Sequence, residues 1–334
     1  MRLAVVGAGR MARRRLEALA ATGGVAVCGV AARRRSSAEA LASDFGGAPA
    51  FDDYRELAVT RPQAVLVETP HHVQDEIALW AVDHGWHLLL GGPLALTSGA
   101  GRRLARAASR RGVVVEAGFE ARYKAVWETA RTLIASGRLG RVLAVNAVAL
   151  WDCDPASWYS NEALSGGMPL SHMTYCFLNP LRWMLGEPVV VAAAANRLVH
   201  GGDLHVREET CCALLRFPGD ILASLTAGYV RSAEEGTWRV MLFGERASLD
   251  IAPGEDGPGR LRLLSGGEAE EFAFPPHEDG FRQQAEAFVE AVRGGRPGRN
   301  RPQDCLGDLQ AVAAIRRAAS SRRGPRSDAR DIYR

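Results

Sequence analysis

The sequence predicts an α/β fold in two parts, a doubly wound parallel sheet followed by an α+β domain built on a mainly antiparallel, open sheet. Two observations carry this reading. Short, continuously apolar runs alternate with helix-period segments through the first 120 residues, and strand-like runs then follow one another with few crossovers after Phe119. At 334 residues the chain can bury two cores, so the expected domains are 1–120 and 121–334.

In the first part LAVVG (3–7), VAVCGVAA (25–32), AVLVET (64–69), HLLLG (87–91) and VVVEAGF (113–119) read as strands buried on both faces. Between them, Ala12, Leu16 and Leu19 share a helical face while Arg13, Arg14, Arg15 and Glu17 point away. Leu41, Ala42 and Phe45 repeat the pattern, as do Ile77, Trp80 and Ala81. In the second part a helix over 123–136 carries Val126, Ala130, Leu133 and Ile134 on one side and ends at Gly137. Strands are expected at 141–150, 189–198, 209–217, 221–230, 237–244 and 260–265, joined by Gly- and Pro-containing turns. Helices near 172–185 and 279–293 are expected to cover one face of this sheet, a last helix at about 304–319 to return to the first domain, and the Arg-rich tail to be solvated.

Lys+Arg total 41 against Asp+Glu 38, a net charge of +3 that argues against a dedicated nucleic-acid surface. Lys124 is the only lysine, so amine chemistry is available at one position. The six cysteines form no C-x-x-C pair, which points to a reducing, cytoplasmic setting. No stretch approaches the roughly 18 apolar residues of a membrane span, and the N-terminus is too glycine-rich for a signal peptide. H-x-x-x-H and H-E-x-x-H spacings are absent too, so no metal site is expected.

Gly7-Ala8-Gly9-Arg10-Met11-Ala12 follows a strand and opens a helix. In that context Gly7 allows a tight turn, Gly9 lets the backbone approach a pyrophosphate and Ala12 permits close helix–strand packing, the signature of a Rossmann nucleotide-binding domain. The competing reading is a turn that binds nothing. Further on, where NAD-binding sheets present an acid to the ribose, this chain has Ala32-Arg33-Arg34-Arg35-Ser36. A cationic, hydroxyl-bearing turn welcomes a 2′-phosphate, which favours NADP over NAD. A solvated arginine run is the alternative.

Several further segments fall in a familiar order. They are Thr69-Pro70-His71-His72, Gly91-Gly92-Pro93, the G-F-x-x-R-aromatic stretch Gly118 to Tyr123, ASGRLGRV at 135–142, a W-x5-L-S-G-G stretch at 158–167 and R-W-x-L-G at 182–186. In these the chain resembles the glucose–fructose oxidoreductase / inositol dehydrogenase / MocA (Gfo/Idh/MocA) family nearly end to end. The resemblance implies a Rossmann domain, a second domain whose open sheet supports homodimers or homotetramers, and a hydride-transfer site between them for sugars, cyclitols or related small molecules. It also implies an E-K-P turn whose lysine lies near the nicotinamide, an often cis peptide before the proline, and an aspartate and a histidine four residues apart on a helix. Here the first pair is Gly91-Gly92 and the second is His172 and Cys176, so the three usual polar groups are replaced.

Three readings follow. In the first, a hydride-transfer enzyme for a sugar-like, cyclitol or imine substrate has relocated its acid and base. His172 has a suitable pKa for this, and Cys176 shares its face at i, i+4. Lys124 and Tyr123 are further catalytic candidates, with Arg122, Trp158, Tyr159, Tyr175 and Asn179 lining the substrate pocket. In the second, bound nicotinamide serves a lyase, epimerase or cyclase, and in the third, catalysis is lost and the protein binds a ligand or partner. Duller explanations stand beside these: His172 as a packing residue, Cys176 as a small hydrophobe, Lys124 as a surface lysine. The expected cofactor contacts are Gly7, Gly9, Arg10, Met11, Arg33, Arg34, Ser36, Thr69, Pro70, His72, Gly91, Gly92 and Pro93. Glu68 and Glu116 would be costly to bury unpaired; they either hold arginine side chains or compensate for the acid missing at residue 91, and His71 and His72 are expected to line the cofactor cleft. The double glycine could also open room for a larger substrate.

Overall fold

The computed structural model describes residues 1–152, 154–198, 208–230, 237–254, 257–277 and 279–321. Six parallel strands form the first sheet: β1 (Arg2–Val6), β2 (Ala26–Ala31), β3 (Ala50–Phe51), β4 (Ala64–Val67), β5 (His87–Leu90) and β6 (Val115–Glu116), in the order β3-β2-β1-β4-β5-β6. The order reverses between β1 and β4, which opens a crevice at their carboxyl ends, the place where such sheets bind ligands. The two-residue β3 is absent from the strands read in the sequence, because it is too short to leave an apolar run.

Helices cover both faces of this sheet. On one lie α3 (His71–Asp83) and α4 (Ser98–Arg111), whose Ile77, Ala78, Ala81 and Leu104 pack with Val65, Val67 and Leu88. On the other lie α1 (Arg10–Ala21) and α2 (Arg35–Asp44), joined by a helix from the far end of the chain, α8 (Phe281–Val292). The sequence reading placed that last segment against the second sheet. It packs instead on α1, since Ala285, Phe288 and Val289 complete the core of Leu3, Val5, Leu16 and Val30. Arg15 departs from its expected place as well. It is 4% exposed although it sits among polar neighbours, because α8 closes over that side of α1.

The second sheet has eight strands: β7 (Val142–Trp151), β8 (Val189–Asn196), β9 (Thr210–Phe217), β10 (Ile221–Tyr229), β11 (Thr237–Gly244), β12 (Ser248–Ala252), β13 (Arg260–Ser265) and β14 (Glu268–Phe272). Their order is β14-β13-β12-β11-β7-β10-β9-β8, and every neighbouring pair is antiparallel except β10 with β7. β12 and β14 were not among the expected strands; Glu268, Glu270 and Glu271 make β14 a charged edge, which hides it from an apolar pattern and guards it against pairing. Alternation puts Val145, Ala147, Leu215, Ala223, Leu225, Val240 and Leu242 on the covered face.

Above that face run α5 (Ala125–Ala135), the single turn α6 (Glu162–Ser165), a π-helical segment Pro169–Leu178, α7 (Asn179–Leu185) and α9 (Pro302–Ser321). In α9, Leu306 and Leu309 press on Gly101 of α4, so this helix touches both sheets' coverings. The Arg-rich tail after residue 321 and Cys153 lie outside the described residues. Cys28, Cys176, Cys211, Cys212 and Cys305 are free thiols, and no described helix is long and apolar enough to cross a membrane.

Because Phe288 is fully buried between α8 and the first sheet, Phe288→Ala should lower unfolding stability by about 3–5 kcal/mol. Leu222→Ala on the exposed face of the second sheet should cost under about 1 kcal/mol in the monomer. Denaturant titration of both variants checks the contrast.

Candidate active site

At the end of β1 the chain turns at Gly7, with φ +108. A Cβ there would lie 2.0 Å from the Glu68 carbonyl oxygen, so this crossing between β1 and β4 requires glycine. Gly9 caps α1, and nothing stands within 4 Å of its missing Cβ. The start of α1 thus has open space over Gly9, beside exposed Arg10 and half-buried Met11, and the unbonded N–H groups of a helix's first turn suit an anion there. Across the crevice Arg33, Arg34 and Ser36 are exposed at the start of α2. Arg35 pairs with Glu39 at 3.1 Å, whereas no carboxylate among the described residues pairs with Arg33 or Arg34. On the β4 side, the Thr69 hydroxyl is buried without a partner and Pro70 starts α3. An accessible helix start, a glycine cradle and an orphaned hydroxyl fit a dinucleotide.

The Gly91-Gly92 turn after β5 is not open. A Cβ on Gly91 would fall 2.0 Å from Cδ of Glu68, and one on Gly92 would fall 2.9 Å from Nε2 of His71. The spaces that two side chains would need are filled from the neighbouring β4–α3 turn, which corrects the expectation of a roomier site. From the other side Gly118 donates its N–H to the Gly92 carbonyl at 2.9 Å, and a Cβ there would meet the Leu90 oxygen at 2.2 Å. The following peptide bond to Pro93 is trans rather than cis. Gly92, at φ +128, makes the turn, and Gln74 of α3 holds the Pro93 carbonyl at 2.7 Å.

Arg15 binds this region together. Its guanidinium pairs with Glu68 at 2.5 Å and with Glu120 at 3.4 Å, and it donates to the Gly118 carbonyl and to Gln284 of α8. The Tyr175 hydroxyl donates to Glu120 from the π-helical segment. Two carboxylates thus share one cation in a dry setting. Burial raises the pKa of Glu68 above the usual carboxylate range, Arg15 opposes the rise and Glu120 adds to it.

His71 and His72 diverge at the first turn of α3: His72 is exposed, whereas His71 is 2% exposed. Nδ1 of His71 lies 2.6 Å from the Ser165 carbonyl, which can only accept, so the proton sits on Nδ1. That leaves Nε2 bare, and it has no partner. Burial lowers the His71 pKa to about 4, so the ring is neutral near pH 7. Trp158 and Tyr159 meet its edge at 4.9 and 5.8 Å, and they stack on each other at 3.9 Å. Tyr159 continues to His172 at 5.2 Å, which also touches Trp151 and Tyr229. Burial lowers His172 to about 3, its Nδ1 lying 2.8 Å from the Ser171 hydroxyl.

The candidates therefore separate. His172, Tyr159, Trp158 and Tyr175 gather around the cleft with His71. Cys176 does not share the open side of its helix: the segment is π-helical with i→i+5 bonding, Cys176 is 5% exposed, and the half-buried residue beside His172 is Tyr175. Lys124 is 1% exposed, not a surface lysine; Nζ donates to the Gly254 carbonyl at 2.8 Å over the Trp238 ring. Tyr123 faces away and donates to Glu116 at 2.5 Å, whose pKa burial raises to about 7. Arg122 holds the carbonyls of Asn179 and Arg299, and Asn179 donates to Asp308 at 2.8 Å. These last three knit the frame behind the cleft. The sequence places His71 with His72 along the cofactor cleft and Glu68 as an arginine partner or a stand-in for the acid missing at residue 91, but gives neither a catalytic role. The available signal was their place next to T-P, facing a turn with no side chains.

Residues 1–119 match the family model described as an oxidoreductase family with an NAD-binding Rossmann fold, and residues 127–250 match the GFO/IDH/MocA C-terminal domain. The chain is 26% identical to the D-glucoside 3-dehydrogenase of Escherichia coli K12, covering 88% of each chain. It is 28% identical to the myo-inositol dehydrogenase Hyg17 of Streptomyces leeuwenhoekii, covering 96% of this chain and 98% of that protein. A 3-ketoreductase of Actinomadura kijaniata, crystallised with NADP and TDP-benzene, shares the fold at a TM-score of 0.84 with 23% identity, over 95% of this chain and 97% of that one.

Removing the shared cation should leave buried negative charge uncompensated. Arg15→Met should destabilise the protein by about 3–5 kcal/mol at pH 7. The variant's Glu68 takes a proton more readily folded than unfolded, so the deficit should shrink as pH falls toward 5. Thermal or denaturant unfolding at the two pH values reads the change.

Proposed function

The chain belongs to the Gfo/Idh/MocA family of NAD(P)-dependent oxidoreductases, and from that premise we propose an NADP(H)-preferring enzyme. Its substrate is a small polar metabolite, sugar-like, cyclitol or imine-bearing, handled by a non-standard acid/base set. The observation that carries the reading is the glycine-cradled start of α1 facing the Arg33-Arg34 turn, which no carboxylate among the described residues neutralises. In the bound state the nicotinamide supplies or accepts hydride. Gly7, Gly9 and the α1 N-terminus hold the pyrophosphate, and Arg33, Arg34 and Ser36 hold a 2′-phosphate.

Trp158 and Tyr159 give the substrate side of the cleft apolar ring faces, which suit the C–H faces of a sugar or cyclitol. The buried Glu68–Arg15–Glu120 group fixes the floor so that water is excluded where the hydride moves. The relatives named for glucoside and inositol oxidation support the substrate class. The imine alternative draws on the cleft's chemistry: Lys124, the one amine in the chain, is committed to Gly254, and an iminium needs less activation than a carbonyl.

A second copy of the chain covers the open face of the second sheet in this reading. Phe243, Ala144 and Leu222 form one row across β11, β7 and β10, continued by Arg216 of β9, with Leu214 in the next row. Leu222, Phe243 and Leu214 are 44, 40 and 39% exposed, a patch that a homodimer or a homotetramer would bury.

Titration with NADPH and NADH, followed by a panel of oxidised sugars, inososes and cyclic imines, tests the assignment. Tight, exchangeable NADPH binding with turnover of a panel member is expected. Failure to bind either cofactor would contradict it, and a cofactor that never exchanges during turnover would favour the lyase, epimerase or cyclase reading. Replacing Arg33 and Arg34 with alanine should weaken NADPH about 10-fold or more while changing NADH little; equal losses would sink the 2′-phosphate assignment. Leu222→Asp with Phe243→Asp should convert the protein to monomers by light scattering, and an unchanged mass would remove this face as the interface.

A further inference from the structure

We propose that His71 is a catalytic base of this enzyme, taking the substrate's hydroxyl proton on Nε2 during oxidation and returning it during reduction. The inference rests on the oxidoreductase reading above and names the group that moves the proton. Nε2 is buried and unpartnered, and an unmet buried acceptor is costly unless a ligand supplies the missing donor. It is aimed at the Gly92 backbone, at the carboxyl end of β5 on the crevice side of the sheet.

Its tautomer is fixed from the other side of the ring. The Ser165 carbonyl holds the Nδ1 proton, so Nε2 presents a lone pair, as a general base must. Ser165 ends the same short segment that brings Trp158 and Tyr159 against the ring. The second domain thus orients the imidazole while the first domain carries it. Nε2 lies where a Gly92 side chain would stand, so the imidazole takes the place of that side chain at the turn.

Four side chains that could otherwise move this proton are committed, while the Thr69 hydroxyl, itself unpartnered, is too weak a base for it. Lys124 bonds the Gly254 carbonyl, Tyr175 donates to Glu120, Tyr123 donates to Glu116, and the Glu68 carboxylate lies against Arg15. In the oxidative direction a bound oxidised nicotinamide would accept the electron pair of the substrate C–H bond as hydride. The hydroxyl O–H bond breaks, its proton passes to Nε2, and the oxygen's electron pair closes the C=O bond. Reduction runs the same transfers backward, with the imidazolium giving up its proton.

The test uses the full-length protein with ring-¹⁵N-labelled histidine, saturated with NADP⁺, to which myo-inositol or methyl β-D-glucoside is added. The expected spectrum assigns His71 Nε2 as an unprotonated nitrogen whose resonance moves on polyol addition; His71→Gln identifies the signal. With whichever panel substrate turns over, His71→Gln and His71→Ala should lose about 100-fold or more in kcat with NADPH affinity unchanged. An Nε2 that carries the proton, a resonance indifferent to both polyols, or a His71→Ala enzyme with kcat within about threefold of the parent would each overturn the assignment. Absence of NADPH and NADH binding in the parent overturns the oxidoreductase reading itself, and with it this one. Tight cofactor binding with a protonated Nε2 removes only His71.

Discussion

One buried cation holds the cleft together. Arg15 leaves the polar side of α1 and reaches Glu68 at the end of β4, Gly118 and Glu120 after β6, and Gln284 on α8. Each partner comes from a different part of the chain, and each is out of water, where an unmatched charge is costly. The consequence is positional. Glu68 is pinned where a residue-91 side chain would stand, and its backbone passes so close to Gly7 that the turn has no room for a Cβ.

The same constraint explains why the double glycine is not a defect. Side chains at 91 and 92 would collide with Glu68 and His71, and the β6 chain presses on the turn from the other side at Gly118. Volume has been exchanged between two neighbouring turns. What changes is chemical character: the filler beside residue 92 is a neutral imidazole with a free lone pair, and the filler beside residue 91 is a carboxylate already matched to arginine.

Much of the fold was legible because burial writes itself into local pattern. Five strands of the first sheet stand out as apolar runs, and alternation marks β9, β10 and β11. The parts that were illegible depend on distant chain. Arg15 reads as a surface residue until α8, some 270 positions later, closes over it, and α8 itself carries a stripe that suits either sheet. At the site, Gly7, Gly9 and Arg33-Arg34 are visible from local context alone. His172, Trp158 and Tyr159 were named through their segments, and their rings lie against one another, but the inward turn of His71 rather than His72 depends on the Ser165 carbonyl, 94 residues away. Cys176 was misjudged because an α-helical period was assumed where the backbone is π-helical. Lys124 and Tyr123 attract attention by residue type, yet their partners Gly254 and Glu116 draw them into the frame.

The central claim, that Glu68 and His71 occupy the space and His71 assumes the role of absent side chains in a working redox site, is tested most directly by a crystal structure with NADPH and a bound polyol. The account predicts the polyol oxygen next to the nicotinamide within about 3 Å of His71 Nε2, with Glu68 still on Arg15 against Gly91. A polyol oxygen held by other groups, with His71 and Glu68 swung away and water filling the space over Gly91-Gly92, would contradict it.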